Sequence, residues 1–498
     1  MLKHTLFALT LSAVFLAGCD AADPAASVTA DARVAKAATP DGTPNDGVYV
    51  LIAKSTLPSD LEAQVAAAGG TLTRSIPEIG VAFATANNAK FQSRAASTIE
   101  GLEAIAPDLL IEWIDDPQVE GAPADLDGTL AADETFGFLQ WPLEAINVEA
   151  AWAQGLTGDG VRVAIIDGGL WDQHIDLTTQ IDRDASASFV PGYAWNEDGG
   201  TFWHGTHVSG IVAAADNGLG TVGVAPGATL VGVKALHDFD GDGPNGGSGA
   251  FSWIIDAIYY ASTPQADGGA GANVINMSLG ATLDEKDQTD GNKEAVRELK
   301  MAIDRATRYA WQQGALVVAS AGNGATNFDV AKTLLKTPAA NQHVMSVSST
   351  GPVGWALGND NFAQLSYFSD FGKKLIDVAA PGGNFALAAV NGDLRICSVA
   401  GPARTIVNYC YAFDGYFAPQ RGTSTGSYTW AQGTSMASPT VAGVAALVME
   451  KYGTGNPAST MSRIQSTATD LGKPGQDEVY GHGFVNAAAA VGATLASN

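Results

Sequence analysis

The chain has 498 residues, 46% hydrophobic and 16% charged, which allows more than one domain and a large buried core and excludes a disordered protein. Its formal net charge of −26 repels nucleic acid and anionic lipid headgroups, so neither is expected as a partner.

Lys3 and His4 precede an apolar run, Thr5 to Leu16, that is too short to span a bilayer as a helix. Leu16-Ala17-Gly18-Cys19 follows. These residues resemble the lipobox of bacterial lipoproteins, in which the cysteine is lipidated and becomes the new N-terminus. The resemblance makes residues 1–19 a lipoprotein signal peptide and Cys19 the lipidation site; the alternative is an ordinary signal peptide with a chance cysteine. No later stretch is long and apolar enough to cross a membrane, so membrane attachment is expected only through that lipid. Residues 20–46, rich in Ala, Asp, Pro and Thr, read as a flexible tether.

From residue 47 the pattern changes. Val48 to Ile52 predicts a strand. Leu57 to Ala68 has helical spacing, with Pro58 near its start and Gly69-Gly70 as its stop. Thr71 to Ile76 and Val81 to Ala84 predict two strands around a Pro77-Glu78 turn. A second helix is expected from Asn88, as N-cap, to Ile99, and a last strand from Leu109 to Ile114. Together they give a β-α-β-β-α-β unit of the ferredoxin-like kind over residues 47–116. Residues 117–135 are acidic and poor in apolar groups, an exposed linker suited to proteolytic cutting.

From residue 136 to 498, apolar strand-like runs alternate with helical stretches. The runs are Val161 to Ile166, Thr229 to Lys234, Val274 to Asn276, Leu316 to Ala319 and Val344 to Val347. This predicts an α/β domain with a mostly parallel sheet and helices on both faces, its functional groups at the carboxyl ends of the strands.

Three local patterns carry chemistry. Asp167 ends the first strand and precedes Gly168-Gly169. His204 opens His204-Gly205-Thr206-His207-Val208-Ser209-Gly210. Ser435 lies in Gly433-Thr434-Ser435-Met436-Ala437-Ser438-Pro439. A serine hydroxyl is a weak nucleophile at neutral pH. A histidine held by a carboxylate can take its proton as it attacks. The motifs and their Asp, His, Ser order resemble the subtilisin family of serine proteases, a likeness that covers about residues 136 to 492. Gly481-His482-Gly483-Phe484-Val485-Asn486 is similar to the family's closing motif.

The resemblance implies an endopeptidase with an Asp167-His204-Ser435 triad and an acyl-enzyme intermediate. Asn323, in Ala321-Gly322-Asn323-Gly324, would donate to the oxyanion. Ser278, Leu279 and Gly280 would line one side of the substrate groove. Ser248, Gly249 and Phe251 would line the other, with the peptide added between them as a strand. Phe251 would border an outer apolar pocket. Structural calcium is implied at Asp176 with Asn217, Leu219 and Thr221. Asp238, Asp240 and Asp242 have the first half of an EF-hand spacing, but Gly249 stands where the bidentate glutamate belongs, so a solvated acidic turn is an equal reading. By the same resemblance, residues 47–116 are an inhibitory propeptide, and the chain acts on protein or peptide substrates as an exported monomer. Cleavage would then release it from a lipid anchor in the cell envelope. Cys397 and Cys410 remain as a disulfide pair in an exported chain, or as two free thiols.

The chain departs from the family at Gly168, where a hydroxyl residue is usual, and at Trp203 before the histidine. Residues 384–432 exceed what a minimal member needs and suggest a flap near the cleft. Gly422-Thr423-Ser424 copies part of the serine motif and reads as a loop. A non-catalytic peptide-binding protein of the same fold is the rival, and it requires loss of a catalytic residue.

Overall fold

Alternate residues of the strand Arg162–Asp167 enter two different cores: Val163 and Ile165 one, Ala164 and Ile166 the other. The strand Leu316–Ser320 does the same, with Leu316 and Val318 opposed to Val317 and Ala319. Unbroken apolar runs are what a parallel strand needs when both its faces are covered. The computed structural model describes residues 43–88, 90–114, 119–120, 135–197, 204–239, 247–284, 292–422 and 425–494. Cys19, most of the tether, most of the acidic linker, Trp203, Asp240, Asp242, Thr423 and Ser424 lie outside the described residues.

The main sheet runs in the order Val378–Pro381, Val344–Thr350, Leu316–Ser320, Val274–Met277, Arg162–Asp167, Thr229–Lys234 and Ala187–Ser188, with every pairing parallel. Helices His204–Ala213 and Thr434–Tyr452 cover one face. Helices Phe251–Ser262 and Asn292–Gln312 cover the other. This is the α/β architecture that the sequence predicts.

The amino-terminal unit has the expected β-α-β-β-α-β order. Its strands lie as Thr71–Ile76, Val81–Thr85, Thr43–Ala53 and Leu102–Ile114, all antiparallel. Helices Leu61–Ala68 and Phe91–Thr98 pack on them around Leu51, Val65, Phe91 and Ile105. The first helix starts at Leu61 rather than Leu57. It stops where expected, at Gly69, whose φ of 92° suits glycine. The last strand starts at Leu102, well before the expected Leu109. Glu103, Ala104, Ala106 and Pro107 have weak strand propensity, but pairing with the central strand holds them extended.

That last strand also joins the two units. Its far end pairs antiparallel with Gly247–Ala250, so Leu110 faces Ala250, Ile111 faces Gly249 and Glu112 faces Ser248. The amino-terminal sheet therefore borrows its fifth strand from the larger unit.

Residues 384–422 and 425–432 carry two hairpins, the first with Ile396, Val407 and Tyr409 exposed. The strands Ile396–Ala400 and Thr405–Tyr409 form a hairpin, and Cys397 is disulfide-bonded to Cys410. Tyr416–Pro419 and Tyr428–Ala431 form a second hairpin, which also pairs with Val119–Glu120. Phe413, Phe417, Tyr428 and Trp430 bury together with Phe136. The second hairpin backs the helix of His204 so closely that a Cβ on Gly210 would lie 2.3 Å from Pro419.

Candidate active site

Asp167 ends its strand at the carboxyl edge of the sheet, while His204 opens one helix and Ser435 is the second residue of another. Those two helices pack side by side. Nδ1 of His204 lies 2.9 Å from Oδ2 and 3.1 Å from Oδ1 of Asp167, so Nδ1 carries the proton and donates. All three side chains are buried, with 1%, 1% and 4% exposure for Asp167, His204 and Ser435. The bend that admits the histidine helix needs Gly205, because a Cβ there would sit 2.0 Å from the Gly169 carbonyl oxygen.

Gly168, the departure beside the aspartate, is used through its backbone. Its N–H donates to Asp167 Oδ1 at 2.6 Å. Its carbonyl accepts from the ammonium of Lys234, a fully buried residue in register with Asp167 on the next strand.

A hydrogen-bond chain fixes the start of the serine helix. Ser438 donates to Asn276 Oδ1 at 2.7 Å, and Asn276 Nδ2 donates to Ser278 Oγ at 3.0 Å. Ser278 Oγ donates in turn to the Ser435 carbonyl at 2.7 Å. The Ser435 hydroxyl donates to the Ser278 carbonyl at 3.3 Å. Asn323 is oriented by Thr434, whose N–H and hydroxyl both donate to its Oδ1, at 2.9 and 2.8 Å. With Oδ1 held, Nδ2 is the donor end, and a Cβ on Gly433 would lie 3.6 Å from it. Thr434, Asn276 and Ser438 were not singled out by the sequence. Two of them lie inside or beside the recognised motifs, but nothing local shows which hydroxyl holds which amide.

The strand segment 110–114 lies between Gly247–Ala250 and Gly280. Gly280 N–H donates to the Trp113 carbonyl at 2.7 Å, on the side away from Gly247–Ala250. Trp113 is fully buried, donates from Nε1 to the Gly249 carbonyl at 2.9 Å and meets Phe251 edge to face with centroids 4.8 Å apart. The structure therefore places Ser248, Gly249, Phe251 and Gly280 around one extended segment. Leu279 is buried behind it.

Asp176 is buried. Its Oδ2 accepts from the N–H and hydroxyl of Thr221, at 2.9 and 3.1 Å. Its Oδ1 has no well-directed partner among the described residues. Burial pushes its carboxyl up to about 6, against the pull of the Thr221 bonds. Asn217, with its Oδ1 turned to the Leu219 N–H, lies on the same loop. A carboxylate oxygen of this kind is a hard donor, the type that calcium takes, and the hydrogen bonds that Asp176 Oδ2 accepts come from Thr221. Asp238 is buried too, and the rest of its acidic run lies outside the described residues.

Residues 158–483 match the model of the subtilase family, Peptidase_S8. The chain belongs to the subtilase family. Subtilisin DY of Bacillus licheniformis is 34% identical over 345 residues, covering 69% of this chain and 96% of that protein. M-protease of Shouchella clausii strain KSM-K16 is 32% identical over 386 residues, covering 75% of this chain and 78% of that protein. Among solved structures, the epidermin leader peptide processing serine protease of Staphylococcus aureus shares the fold, with a TM-score of 0.66 at 24% identity. That match covers 90% of this chain and 99% of the other. Like its relatives, this subtilase is a subtilisin-like serine endopeptidase. No described helix is long and apolar enough to cross a membrane.

Proposed function

We propose that this subtilase is made as a self-inhibited precursor and that Asp167, His204, Ser435 and Asn323 are its catalytic residues. Ser435 Oγ attacks the scissile carbonyl as His204 takes its proton, and the proton then goes to the leaving amine. Asp167 holds the imidazole tautomer and stabilises the imidazolium. Asn323 Nδ2 and the start of the serine helix bind the developing oxyanion. The tetrahedral intermediate collapses to an acyl-enzyme on Ser435, which water hydrolyses by the same route in reverse.

The observation that carries this reading is the antiparallel strand 110–114 held between Gly247–Ala250 and Gly280. A substrate peptide would lie there by the same strand addition, with Trp113 standing for the side chain in the outer pocket bordered by Phe251. Residues 47–116 thus act as an inhibitory propeptide. A cut within 115–135 frees the catalytic domain from it, and from a lipid on Cys19. The enzyme is exported, and proteins or peptides are its substrates. Calcium bound by Asp176 with oxygens of Asn217, Leu219 and Thr221 would brace the loop behind the histidine helix.

The test is covalent capture. A fluorophosphonate probe should label the mature enzyme once, on the peptide containing Ser435, and abolish casein hydrolysis. Labelling elsewhere, with hydrolysis intact, would reject the assignment.

A further inference from the structure

Two stretches of the amino-terminal chain add to the larger unit as antiparallel strands. Residues 110–114 pair with Gly247–Ala250, and the Trp113 carbonyl accepts the Gly280 N–H. Val119–Glu120 pairs with Tyr428–Ala431, Val119 opposite Ala431 and Glu120 opposite Trp430. Only residues 115–118 separate the two stretches. Five Cα steps of about 3.8 Å therefore keep Ile114 and Val119 within about 19 Å of each other. Both partner segments lead to Ser435. Gly280 closely follows Ser278, whose hydroxyl donates to the Ser435 carbonyl at 2.7 Å. Tyr428–Ala431 runs through Gln432 and Gly433 directly into the helix that carries Ser435.

The direction of the second pairing fits a peptide leaving the nucleophile. From Val119 to Glu120 the partner changes from Ala431 to Trp430, so the chain moves away from the serine helix as it advances. Tyr428–Ala431 is held on its other edge by Tyr416–Pro419, and Val119–Glu120 is the outer strand of that sheet. The Trp430 ring lies 4.4 Å from Phe417 and 5.7 Å from Phe413, centroid to centroid, which fixes the hairpin from behind. A strand fixed in this way offers main-chain groups to an extended peptide with little ordering cost of its own. Main-chain bonds do not read side chains, so the site takes any extended segment that lacks proline there.

We infer that Tyr428–Ala431 is a second substrate-binding strand, which takes the residues on the carboxyl side of the scissile bond by antiparallel addition. The inference rests on Ser435 being the nucleophile and on residues 110–114 lying as a substrate does. The ligand is an extended polypeptide that continues several residues past the cut, and Val119–Glu120 is the precursor's own occupant. The maturation cut then falls among residues 115–119. The second hairpin of the 384–432 insertion thereby lengthens the cleft on the leaving-group side.

The experiment gives the mature wild-type enzyme three peptides. One copies residues 110–122, one stops at residue 118, and one is full length with N-methyl groups at the positions of Val119 and Glu120. In an antiparallel ladder one of two successive facing pairs exchanges both main-chain bonds, so methylating both nitrogens removes a donor whichever pair it is. We expect kcat/KM about tenfold lower for the shortened and the methylated peptides than for the full one. Mass spectrometry should place every cut among residues 115–119. Equal rates on the full and shortened peptides overturn the inference. A loss on shortening without a loss on methylation also overturns it, because side chains are then being read instead of main chain. So do cuts outside 115–119. In all three cases the peptidase reading stands. If no peptide is cut while casein is hydrolysed, the inference alone falls; if casein is left intact as well, both readings fall.

Discussion

The N–H of Gly280 donates to the carbonyl of Trp113 at 2.7 Å, which ties the amino-terminal unit to the segment whose Ser278 bonds Ser435. Trp113 also fills the space over Phe251 and bonds to Gly249. Truncating a buried tryptophan costs about 3–5 kcal/mol. Trp113→Ala should therefore loosen the precursor's hold on its own cleft. After the maturation cut, the pro-segment of this variant should separate at least tenfold faster than wild type, followed by gel filtration and the rise of peptide hydrolysis. Unchanged release would mean that Trp113 contributes no net binding.

Asn323→Ala should lower kcat by about 10²–10³ with KM nearly unchanged, because the lost donor acts only as charge develops on the oxyanion. Thr434→Val removes the hydroxyl bond that orients the same amide but leaves the backbone N–H bond, so its loss should be smaller. Stopped assays on a chromogenic peptide separate the two. A larger effect from Thr434→Val would show that the bond its hydroxyl accepts from Gly322 N–H matters more than its hold on the amide.

Much of this site is legible in the sequence because its parts are short and local. Asp167 follows an apolar run, and His204 and Ser435 sit in glycine-bearing helix starts. What the sequence does not show comes from contacts between distant residues. Thr434 lies inside the serine motif, and only the fold sets its hydroxyl against the amide of Asn323, far upstream in the chain. The strand Leu102–Ile114 contains Pro107 and weak strand formers, so pairing rather than propensity extends it. The aromatic residues of 384–432 suggest a flap, yet their partner Phe136 lies far upstream in the chain.

A chelator should lower the melting temperature of the Ser435→Ala protein, and added calcium should restore it, since a ligand bound only to the folded state stabilises it by mass action. Asp176→Asn should abolish that response while leaving the melting temperature in chelator little changed. Calorimetry in EGTA and in millimolar calcium makes the comparison. Equal calcium responses in both proteins would place the ion elsewhere.

His207 is fully buried, and burial first, with the nearby His204 second, lowers it to about 3 from an ordinary value of 6.5. It is neutral when folded and takes up a proton when unfolded at mildly acidic pH. Its contribution is intact above about 6.5 and is lost as pH falls toward about 3. In the Ser435→Ala background, His207→Leu should therefore show a shallower loss of stability between pH 6.5 and 4, by about one proton in the slope. Parallel denaturation curves across that window would contradict a buried neutral histidine.

As the nucleophile, Ser435 should cut the chain that lies across its own site. Purified precursor and its Ser435→Ala variant should be followed by intact mass over time. Wild type should fall into two pieces with a cut between residues 115 and 135, while the variant stays whole. Equal cutting of both proteins would contradict it.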